Sequence, residues 1–471
     1  MAPAFLTIRN LTATPLELTR VERLEGDPVP SPGGLANITT TITSFFNATA
    51  TPPAVAPRPD AAPVSAEDAS DVVLAPFTSR ATAVRAADPA REVLRLTFAE
   101  PGTAHRYVVD APAPSPRSVV MRRAGGGGGP DPAAPHEFTA IYVAAGATLA
   151  VFSSAALASW MATLPDAVPL AALSVPGTHN SPACHTALPS VRCQAVGVRA
   201  QLDAGVRFLD VRVSCAGAAS SDLALVHSAF PVSLTGARWL ADLLADVYGF
   251  LDAQPRETVL VSLKREGTGR GSDADLSRHL HARYCVPAGR WHTAPHVPTL
   301  GEARGKVVLV RRFGLDDGLR AEQPGWGGID GSAWPDNCAD GTVGSGLLRV
   351  QDFYEVEQAG NIDKKIELAR AHLERAGEAR PEQPGPVFIN FLSASNFFNA
   401  SCWPERIAAR LNPAIIEYLC IRHGEAGKGP GGLSVGVAAT GVVVTDWVGV
   451  DGDWDLLRCI VGWNARLQLK Q

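Results

Sequence analysis

Titratable or hydrogen-bonding side chains follow short apolar segments from about residue 168 onwards in this 471-residue sequence. In the clearest case, SVPGTHNS, an apolar segment ends at Pro176-Gly177 and His179 comes directly after it. Short apolar segments bounded by such residues are typical of buried strands, so each polar side chain would lie at a strand end. These side chains are His179, Asp210, Arg212, His227, Lys264, Arg312, Asp352, Tyr354, Ser393 and Asp446.

This combination of side chains favours acid–base chemistry on a phosphate group. Two histidines can take a proton from a substrate and return one, while arginine and lysine neutralise phosphate oxygens. A metal-dependent hydrolase would instead gather histidines and carboxylates without cations among them. We therefore expect a site with no metal and no other cofactor. Taken singly, a histidine after a strand is more often a loop or capping residue, and Asp210 with Arg212 could form a structural ion pair, so only the set as a whole favours chemistry.

The elements that would position these side chains alternate from about residue 168 onwards. Apolar strands and amphipathic helices predict a mostly parallel sheet, and one helix is clear from the apolar spacing between Trp239 and Leu251. Eight strands fit a TIM-type (β/α)8 barrel, whose functional residues collect at the C-terminal strand ends. An irregular or incompletely closed barrel fits as well, because helices are not evident after every strand. The strand candidates are 170–175, 206–211, 222–226, 258–263, 306–311, 347–351, 386–392 and 440–445.

The first third of the chain has a different character. Alternating or β-branched segments separated by Pro, Gly and Asp predict an all-β, sandwich-like domain over residues 1–155, ahead of the α/β barrel domain at 156–471. The segment SSAALASWMATLPD predicts a linking helix, and residues 51–66 and Gly125–Gly129 predict low-complexity loops. The strand segments are FLTIRNL, LELTRVERL, NITTTITSFF, VLRLTFAE, HRYVVDA and HEFTAIYVAAGATLAVF.

Composition excludes several classes of protein. A net charge of −5 with 19% charged residues does not favour nucleic-acid binding. No segment approaches the roughly 18 apolar residues of a membrane span. The first residues show no signal-peptide pattern, so we expect a cytoplasmic or peripheral membrane location, although the pattern does not exclude secretion. The eight cysteines predict free thiols, with Cys184 and Cys193 the one pair to test for a disulfide.

The ordered motifs between about residues 168 and 460 resemble the phosphatidylinositol-specific phospholipase C X-domain family, in particular its bacterial, calcium-independent type. The resemblance does not extend to the first 155 residues. The matching segments are SVPGTHNS, QLDAGVRFLDVRV, LVHSAF, FLDAQPRETVLVSLKRE, LGEARGKVVLVRRF, WPDN, VQDFYEV, VFINFLSAS and TGVVVTDWV.

The resemblance implies a role for each matching residue. His179 would be the general base that removes the inositol 2-hydroxyl proton, and Asp446 would orient it. His227 would be the general acid that protonates the leaving oxygen, and Arg212, beside Asp210, would bind the phosphate. The expected products are diacylglycerol and a cyclic inositol phosphate. The residues implied to hold the inositol ring are Lys264, Arg312, Asp352 and Tyr354.

Asn180 departs from the bacterial pattern that the resemblance implies. Bacterial members usually carry an aspartate there, which supports the general acid, and an asparagine could only accept a hydrogen bond from His227. The calcium-dependent branch carries asparagine at this position but places acidic residues where Arg212 and Lys264 stand. Two cations in the would-be metal shell would repel Ca²⁺, so we expect calcium independence.

A lipid substrate would require contact with a membrane surface. The segment SASNFFNASCWPE places Phe397, Phe398 and Trp403 near the predicted active face, and core packing explains these aromatic residues equally well. We expect a monomer that contacts the membrane peripherally. Two alternatives remain: a related phosphodiesterase acting on glycerophosphodiesters or another phospholipid, and a catalytically weakened lipid-binding protein.

Overall fold

The computed structural model describes residues 4–28, 55–58, 62–112, 118–124, 136–216, 222–285, 289–378, 385–432 and 437–469. The chain divides into two compact units, Met1–Ala155 and Ala156–Gln471. The predicted strand NITTTITSFF and the Gly125–Gly129 segment lie outside the described residues, as do residues 51–54 and 59–61 of the loop predicted at 51–66. The described part of that predicted loop contains a short strand at Val55–Pro57 and the start of another at Ser65.

The first unit is built from strands that form two sheets. One sheet has the order β5-β1-β11-β10-β8, and the other has the order β3-β2-β6-β7-β9 with β4 beside β2. Ile8 and Val151 from the first sheet share one buried apolar cluster with Leu18 and Leu96 from the second. The strands are β1 Phe5–Leu11, β2 Leu16–Pro28, β3 Val55–Pro57, β4 Ser65–Leu74, β5 Thr78–Arg85, β6 Glu92–Ala99, β7 Arg106–Ala111, β8 Ser118–Val120, β9 Arg122–Arg123, β10 Thr139–Val143 and β11 Thr148–Phe152.

The second unit alternates strands and helices. Its strands are β12 Val175–Thr178, β13 Phe208–Ser214, β14 Ala224–His227, β15 Phe230–Pro231, β16 Val259–Arg265, β17 Trp291–His292, β18 Val307–Arg312, β19 Ile329–Asp330, β20 Gly341–Thr342, β21 Leu348–Gln351, β22 Val387–Phe391 and β23 Val442–Thr445. Its helices are α1 Val198–Asp203, α2 Leu240–Ala253, α3 Asp273–Arg283, α4 Leu300–Ala303, α5 Asp317–Glu322, α6 Asn361–Gly377, α7 Pro404–Ile421 and α8 Asp455–Gly462. None of the helices that the structure describes is long and apolar enough to cross a membrane.

Eight parallel strands form an open barrel. From β12 the hydrogen-bonded order runs through β13, β16, β18 and β19 in one direction and through β23, β22 and β21 in the other. Among the described residues no ladder joins β19 to β21, so the barrel is not closed there. The sequence analysis left open an incompletely closed barrel, and the sheet has this form.

Alternation along β13 shows how the barrel places polar groups inside. Leu209 and Val211 belong to the apolar cluster that also contains Leu243 and Val247 of α2. Asp210 and Arg212 point to the opposite face, because successive side chains of a strand alternate. The clear helix predicted from Trp239 onwards is confirmed as α2, whose buried side chains are Leu240, Leu243, Leu244, Val247, Phe250 and Leu251.

One predicted barrel strand is wrong. The segment 222–226 forms part of β14, which pairs antiparallel with β13 and with β15 and is therefore not a parallel barrel strand. The short strand β19 pairs parallel with β18 instead, as does the two-residue strand β17. A five-residue apolar segment does not reveal strand direction, since both directions use the same side-chain pattern.

Two boundaries also differ from the prediction. The first strand candidate, 170–175, is largely a 3₁₀ helix at Leu170–Ala172, and β12 begins only at Val175. The predicted linking helix is a 3₁₀ helix at Leu157–Thr163 with non-helical backbone angles at Ser159. Both segments pack buried leucines into the core below the barrel strands, so apolar content alone does not separate 3₁₀ from α or strand.

Candidate active site

His179 and Asp446 are brought together by the pairing of β12 with β23. Thr178 is in register with Thr445, so the residues that follow the two strands are neighbours. His179 Nδ1 lies 2.9 Å from Asp446 Oδ1, and both side chains are buried. Burial raises the pKa of Asp446, and the hydrogen bond with His179 opposes that rise. With Nδ1 engaged, the Nε2 atom of His179 is the one left to exchange a proton.

His227 ends β14 and faces His179. The two imidazole rings lie 5.3 Å apart, centroid to centroid, at nearly a right angle. His227 Nδ1 is 3.1 Å from the Val191 carbonyl oxygen and 3.6 Å from Cys193 Sγ. Burial, helped by the charges of Arg212 and His179, lowers the pKa of His227 to about 3. His227 is therefore neutral near pH 7 in this structure.

Asn180 does not accept the hydrogen bond from His227 that the sequence predicts. Its side-chain Nδ2 donates to the Val226 carbonyl oxygen at 3.3 Å, and its buried Oδ1 has no hydrogen-bond partner among the described residues. The backbone of Asn180 is left-handed, with φ of 35°, and its amide donates to Asp210. This conformation turns the Asn180 side chain toward Val226, the residue before His227. The hydrogen bond from His227 goes to the Val191 carbonyl oxygen instead.

Four charged groups form a connected network beside the histidines. Asp210 Oδ2 accepts from Arg212 Nε at 3.2 Å, and Glu266 accepts from Arg212 at 3.3 Å and from Lys264 at 2.7 Å. Burial opposes the charge of Arg212, but Asp210 and Glu266 outweigh it and raise the pKa of Arg212. Burial likewise opposes the charge of Glu266, but Arg212 and Lys264 outweigh it and lower the pKa of Glu266 to about 2. Arg212 and Glu266 are therefore charged at neutral pH.

A second group of side chains lies around Arg312 at the end of β18. Arg312 contacts Asp210 at 3.4 Å and Asp352 at 3.8 Å, which connects this group to the charged network. Its guanidinium lies 3.8 Å from the centre of the Trp334 ring, and Trp334 Nε1 donates to Asp352 at 2.9 Å. Tyr354 is partly exposed, and its hydroxyl donates to Asp336 at 2.8 Å.

The predicted aromatic segment lies after β22. Phe397 and Phe398 contact each other, and Phe398 is 95% exposed. Phe230, from β15, stacks on Phe397 with ring centroids 6.0 Å apart. Trp403 is half-buried at the start of α7 and donates from Nε1 to the Phe397 carbonyl oxygen at 3.3 Å. Packing therefore accounts for Trp403, whereas the two phenylalanines remain at the surface.

The sequence analysis missed three side chains that hold the site together. Gln194 Nε2 donates to the carbonyl oxygens of His179 and Thr445, at 2.7 and 2.9 Å. Glu266 holds Arg212 and Lys264, and strand alternation could have found it, because it lies two residues after Lys264. Trp334 stands in the WPDN motif, but nothing in its sequence pattern predicted the contact with Arg312. No sequence pattern could have identified Gln194, because its hydrogen bonds depend on the geometry of the loop between β12 and α1.

Cys184 and Cys193 are free thiols rather than a disulfide. Cys193 is fully buried beside His227, whereas Cys184 is half-buried. The prediction of free thiols is confirmed.

An open α/β barrel with its polar side chains gathered at the C-terminal strand ends has the architecture of the α/β-barrel enzymes. Comparison with known proteins identifies the class more closely. Residues 167–313 match the family model described as phosphatidylinositol-specific phospholipase C, X domain. This part of the chain matches the family model, and the resemblance predicted from the motifs is confirmed.

Bacterial proteins are similar over most of the second unit. The 1-phosphatidylinositol phosphodiesterase of Staphylococcus aureus strain Newman is 27% identical over 307 residues, which cover 62% of this chain and 88% of that protein. The enzyme of the same name from Listeria monocytogenes is 31% identical over 160 residues, covering 32% of this chain and 47% of that protein. A crystal structure of a variant of the S. aureus phosphatidylinositol-specific phospholipase C matches with a TM-score of 0.54 at 23% identity, covering 66% of this chain and 97% of that chain. The last comparison shows a shared fold.

Proposed function

We propose that the second unit cleaves phosphatidylinositol to diacylglycerol and a cyclic inositol phosphate. The observation that carries this proposal is the buried His179–Asp446 pair facing His227, with the charged network of Arg212 beside both histidines. The names of the S. aureus and L. monocytogenes relatives support phosphatidylinositol as the substrate.

In the proposed reaction His179 Nε2 accepts the proton of the inositol 2-hydroxyl. That oxygen attacks the phosphorus, a new P–O bond closes the ring, and the P–O bond to diacylglycerol breaks. Asp446 holds the imidazole in the tautomer that has Nε2 free and stabilises the imidazolium that forms. Arg212 neutralises charge on the phosphate oxygens as it builds up. Slow hydrolysis of the cyclic product would use the same two histidines with their roles exchanged.

His227 is proposed as the acid that protonates the leaving oxygen. Because its pKa in the ligand-free protein is lowered to about 3, this role requires the substrate to supply the conditions for protonation. A phosphodiester anion beside Arg212 offsets the cationic charge that disfavours protonated His227. His227 should therefore take up a proton when substrate binds. The phosphodiester anion would then stabilise protonated His227, as an aspartate at position 180 would otherwise do.

The inositol ring is proposed to bind among Lys264, Arg312, Asp352 and Tyr354. Lys264 Nζ and the Asp352 carboxylate offer a donor and an acceptor to ring hydroxyls, and the exposed face of Tyr354 offers a stacking surface. Arg312 is buried against Trp334, so it orients Asp352 and also carries charge at the base of this pocket.

We propose peripheral membrane contact through the open end of the barrel. The large apolar side chains that are exposed in the described part of the second unit all lie in segments beyond the C-terminal ends of barrel strands or at β14 and β15. They are Phe230, Leu234, Trp239, Tyr354, Phe397, Phe398 and Val450. Phe397 contacts both Phe230 and Phe398, and an exposed apolar cluster of this kind is typical of an interaction surface. Trp403 holds the Phe397–Phe398 segment through the hydrogen bond from its Nε1 to the Phe397 carbonyl oxygen.

For residues 1–155 we propose a sandwich-like domain that assists membrane or partner binding, and for 156–471 a separate catalytic domain. The apolar cluster shared by the two sheets of the first unit supports the sandwich. We further propose a monomer at the membrane surface, with a cytoplasmic or peripheral location.

Lipid vesicles in EGTA provide the test of this function. We expect diacylglycerol release from phosphatidylinositol, little release from phosphatidylcholine, and turnover undiminished by EGTA. Asp210 and Glu266 already bond to arginine and lysine, so they do not offer the free oxygen ligands that Ca²⁺ requires. Loss of activity in EGTA that Ca²⁺ restores would refute calcium independence, and vesicle binding without any product would favour the lipid-binding alternative.

A further inference from the structure

Three metal-ligating side chains converge beneath the open end of the barrel. One ligand atom each from His179, Cys193 and His227 lies within 4.8 Å of the others, and all three residues are buried. They come from three different segments: the end of β12, the loop between β12 and α1, and the end of β14. The phosphodiesterase reaction uses the two histidines and leaves the thiol without a role.

The spacing of the thiol and one imidazole already suits a metal ion. Cys193 Sγ lies 3.6 Å from His227 Nδ1, and both atoms bond to the Val191 carbonyl oxygen. Tetrahedral zinc has Zn–S of about 2.3 Å and Zn–N of about 2.0 Å, which places neighbouring S and N ligands about 3.5 Å apart. The three ligand atoms lie within 4.8 Å of one another, so they would need to move closer together to reach such distances.

The pairing of His179 with Asp446 adds a feature common at zinc sites. A ligating histidine usually donates its other ring N–H to a carboxylate, which fixes the tautomer and strengthens the ligand. Asp446 accepts from His179 Nδ1 at 2.9 Å, so the opposite nitrogen carries the free lone pair. Imidazole and thiolate are the ligands that zinc and similar cations prefer, whereas Ca²⁺ selects oxygen.

We propose that His179, Cys193 and His227 form a binding site for Zn²⁺ or a similar thiophilic divalent cation, and that the bound ion inhibits the enzyme. On binding, the Cys193 S–H bond breaks, its proton passes to solvent, and a sulfur–metal bond forms. The His227 Nδ1–H···O bond to Val191 also breaks, and the imidazole proton moves through solvent from Nδ1 to Nε2, which frees the Nδ1 lone pair for the metal. The two imidazoles bind through nitrogen lone pairs, so neither remains free to exchange a proton with substrate. Metal binding goes beyond the proposed function and does not depend on it; the inhibitory effect rests on it.

Cobalt titration of the full-length, metal-free chain tests binding directly. Co²⁺ should bind in a 1:1 ratio and produce a thiolate-to-cobalt charge-transfer band, which Cys193→Ser and Cys193→Ala should abolish. His227→Ala should weaken binding by at least about tenfold, since even outer-shell partners of a metal site contribute about 10–100-fold. Cys184→Ser, which removes a half-buried thiol from the same loop, should leave the band intact.

X-ray absorption of the zinc-loaded wild-type chain keeps the proposal testable if the Cys193 variants do not fold. One sulfur and two nitrogen neighbours are expected, and a zinc shell without sulfur would overturn the proposal. So would a wild-type chain that shows no cobalt band, or a band that persists unchanged in folded Cys193→Ser.

Activity assays with added Zn²⁺ test whether the bound ion inhibits the enzyme. Each variant is compared with its own metal-free rate, and Zn²⁺ should inhibit the wild type at least about tenfold more strongly than Cys193→Ser, with recovery on adding a chelator. Equal inhibition of both would overturn the inhibitory role. If the wild type cleaves no phosphatidylinositol, the proposed function fails, whereas the cobalt and X-ray results still decide the metal site.

Discussion

Glu266 joins two cations that the proposed reaction needs in fixed positions. Its carboxylate accepts from Arg212 and Lys264 and from the backbone amide of Ser228, next to His227. Only 11% of its side chain is exposed, so solvent screens these contacts weakly. Glu266 therefore acts as a positioning residue for both the phosphate-binding and the inositol-binding sides of the site.

Replacing Glu266 by Gln should lower kcat/KM for phosphatidylinositol by about 10- to 100-fold. The neutral amide cannot balance both cations, and a hydrogen bond to a charged group is worth about 1.5–3 kcal/mol. Vesicle assays measure the rate, and circular dichroism checks the fold. Glu322→Gln, which removes an exposed glutamate of α5, should change neither rate nor fold. A fully active Glu266→Gln enzyme would contradict the positioning role.

At the residue scale, the sequence predicted which side chains meet but not all of their partners. Placement after apolar segments was enough to bring His179, Asp210 and Asp446 together, because neighbouring parallel strands end at the same side of a barrel. The hydrogen bond suggested between His227 and Asn180 is not formed, because Asn180 has a left-handed backbone and the Val191 carbonyl oxygen lies beside His227. Local loop geometry of this kind leaves no periodic pattern in a sequence.

At the level of elements, the site depends on one antiparallel hairpin attached to a parallel barrel. β14 pairs with the end of β13 and delivers His227 across from His179, while β15 places Phe230 against Phe397. The sequence indicated a strand at 222–226 but none at β15, and it could not give the direction of the first strand. The same hairpin thus connects the proposed acid to the exposed aromatic surface.

Replacing Phe397 and Phe398 together by Ser should weaken binding to phosphatidylinositol vesicles by at least about tenfold. Burying one phenylalanine side chain in an apolar environment is worth about 1.5–3 kcal/mol, and Phe398 is almost fully exposed in the protein. Vesicle sedimentation measures binding, and hydrolysis of a soluble cyclic inositol phosphate reports the intact site.

The matched control replaces both residues by Leu, which keeps the surface apolar and should keep most of the binding. Equal losses on vesicles and on the soluble substrate would show that the segment supports the fold instead of the membrane contact.

At the scale of the whole barrel unit, buried histidines make stability depend on pH. Burial is the main cause that lowers the pKa of His227 and of His372, in α6, to about 3 in each case. An unfolded histidine has a pKa of about 6.5, so the unfolded chain binds more protons between pH 6.5 and 3. Their contribution to stability is therefore complete above pH 6.5 and is lost as pH falls toward 3.

The free energy of unfolding should fall between pH 6.5 and 5, by up to about 1.4 kcal/mol per pH unit for each of these histidines. His227→Asn and His372→Asn should each make this dependence less steep. Tryptophan fluorescence in denaturant reports the unit selectively, because all nine tryptophans lie after residue 155. Identical pH slopes for the wild type and both variants would contradict the assignment of buried neutral histidines.

The identity of the first phosphorus-containing product tests the central claim most directly. In ³¹P NMR of phosphatidylinositol micelles with EGTA, the wild type should produce a cyclic inositol phosphate first. His179→Ala should produce none over the same time, because no group then accepts the 2-hydroxyl proton. An acyclic inositol phosphate as first product, or a cyclic product formed equally fast by His179→Ala, would contradict the two-histidine account of this site.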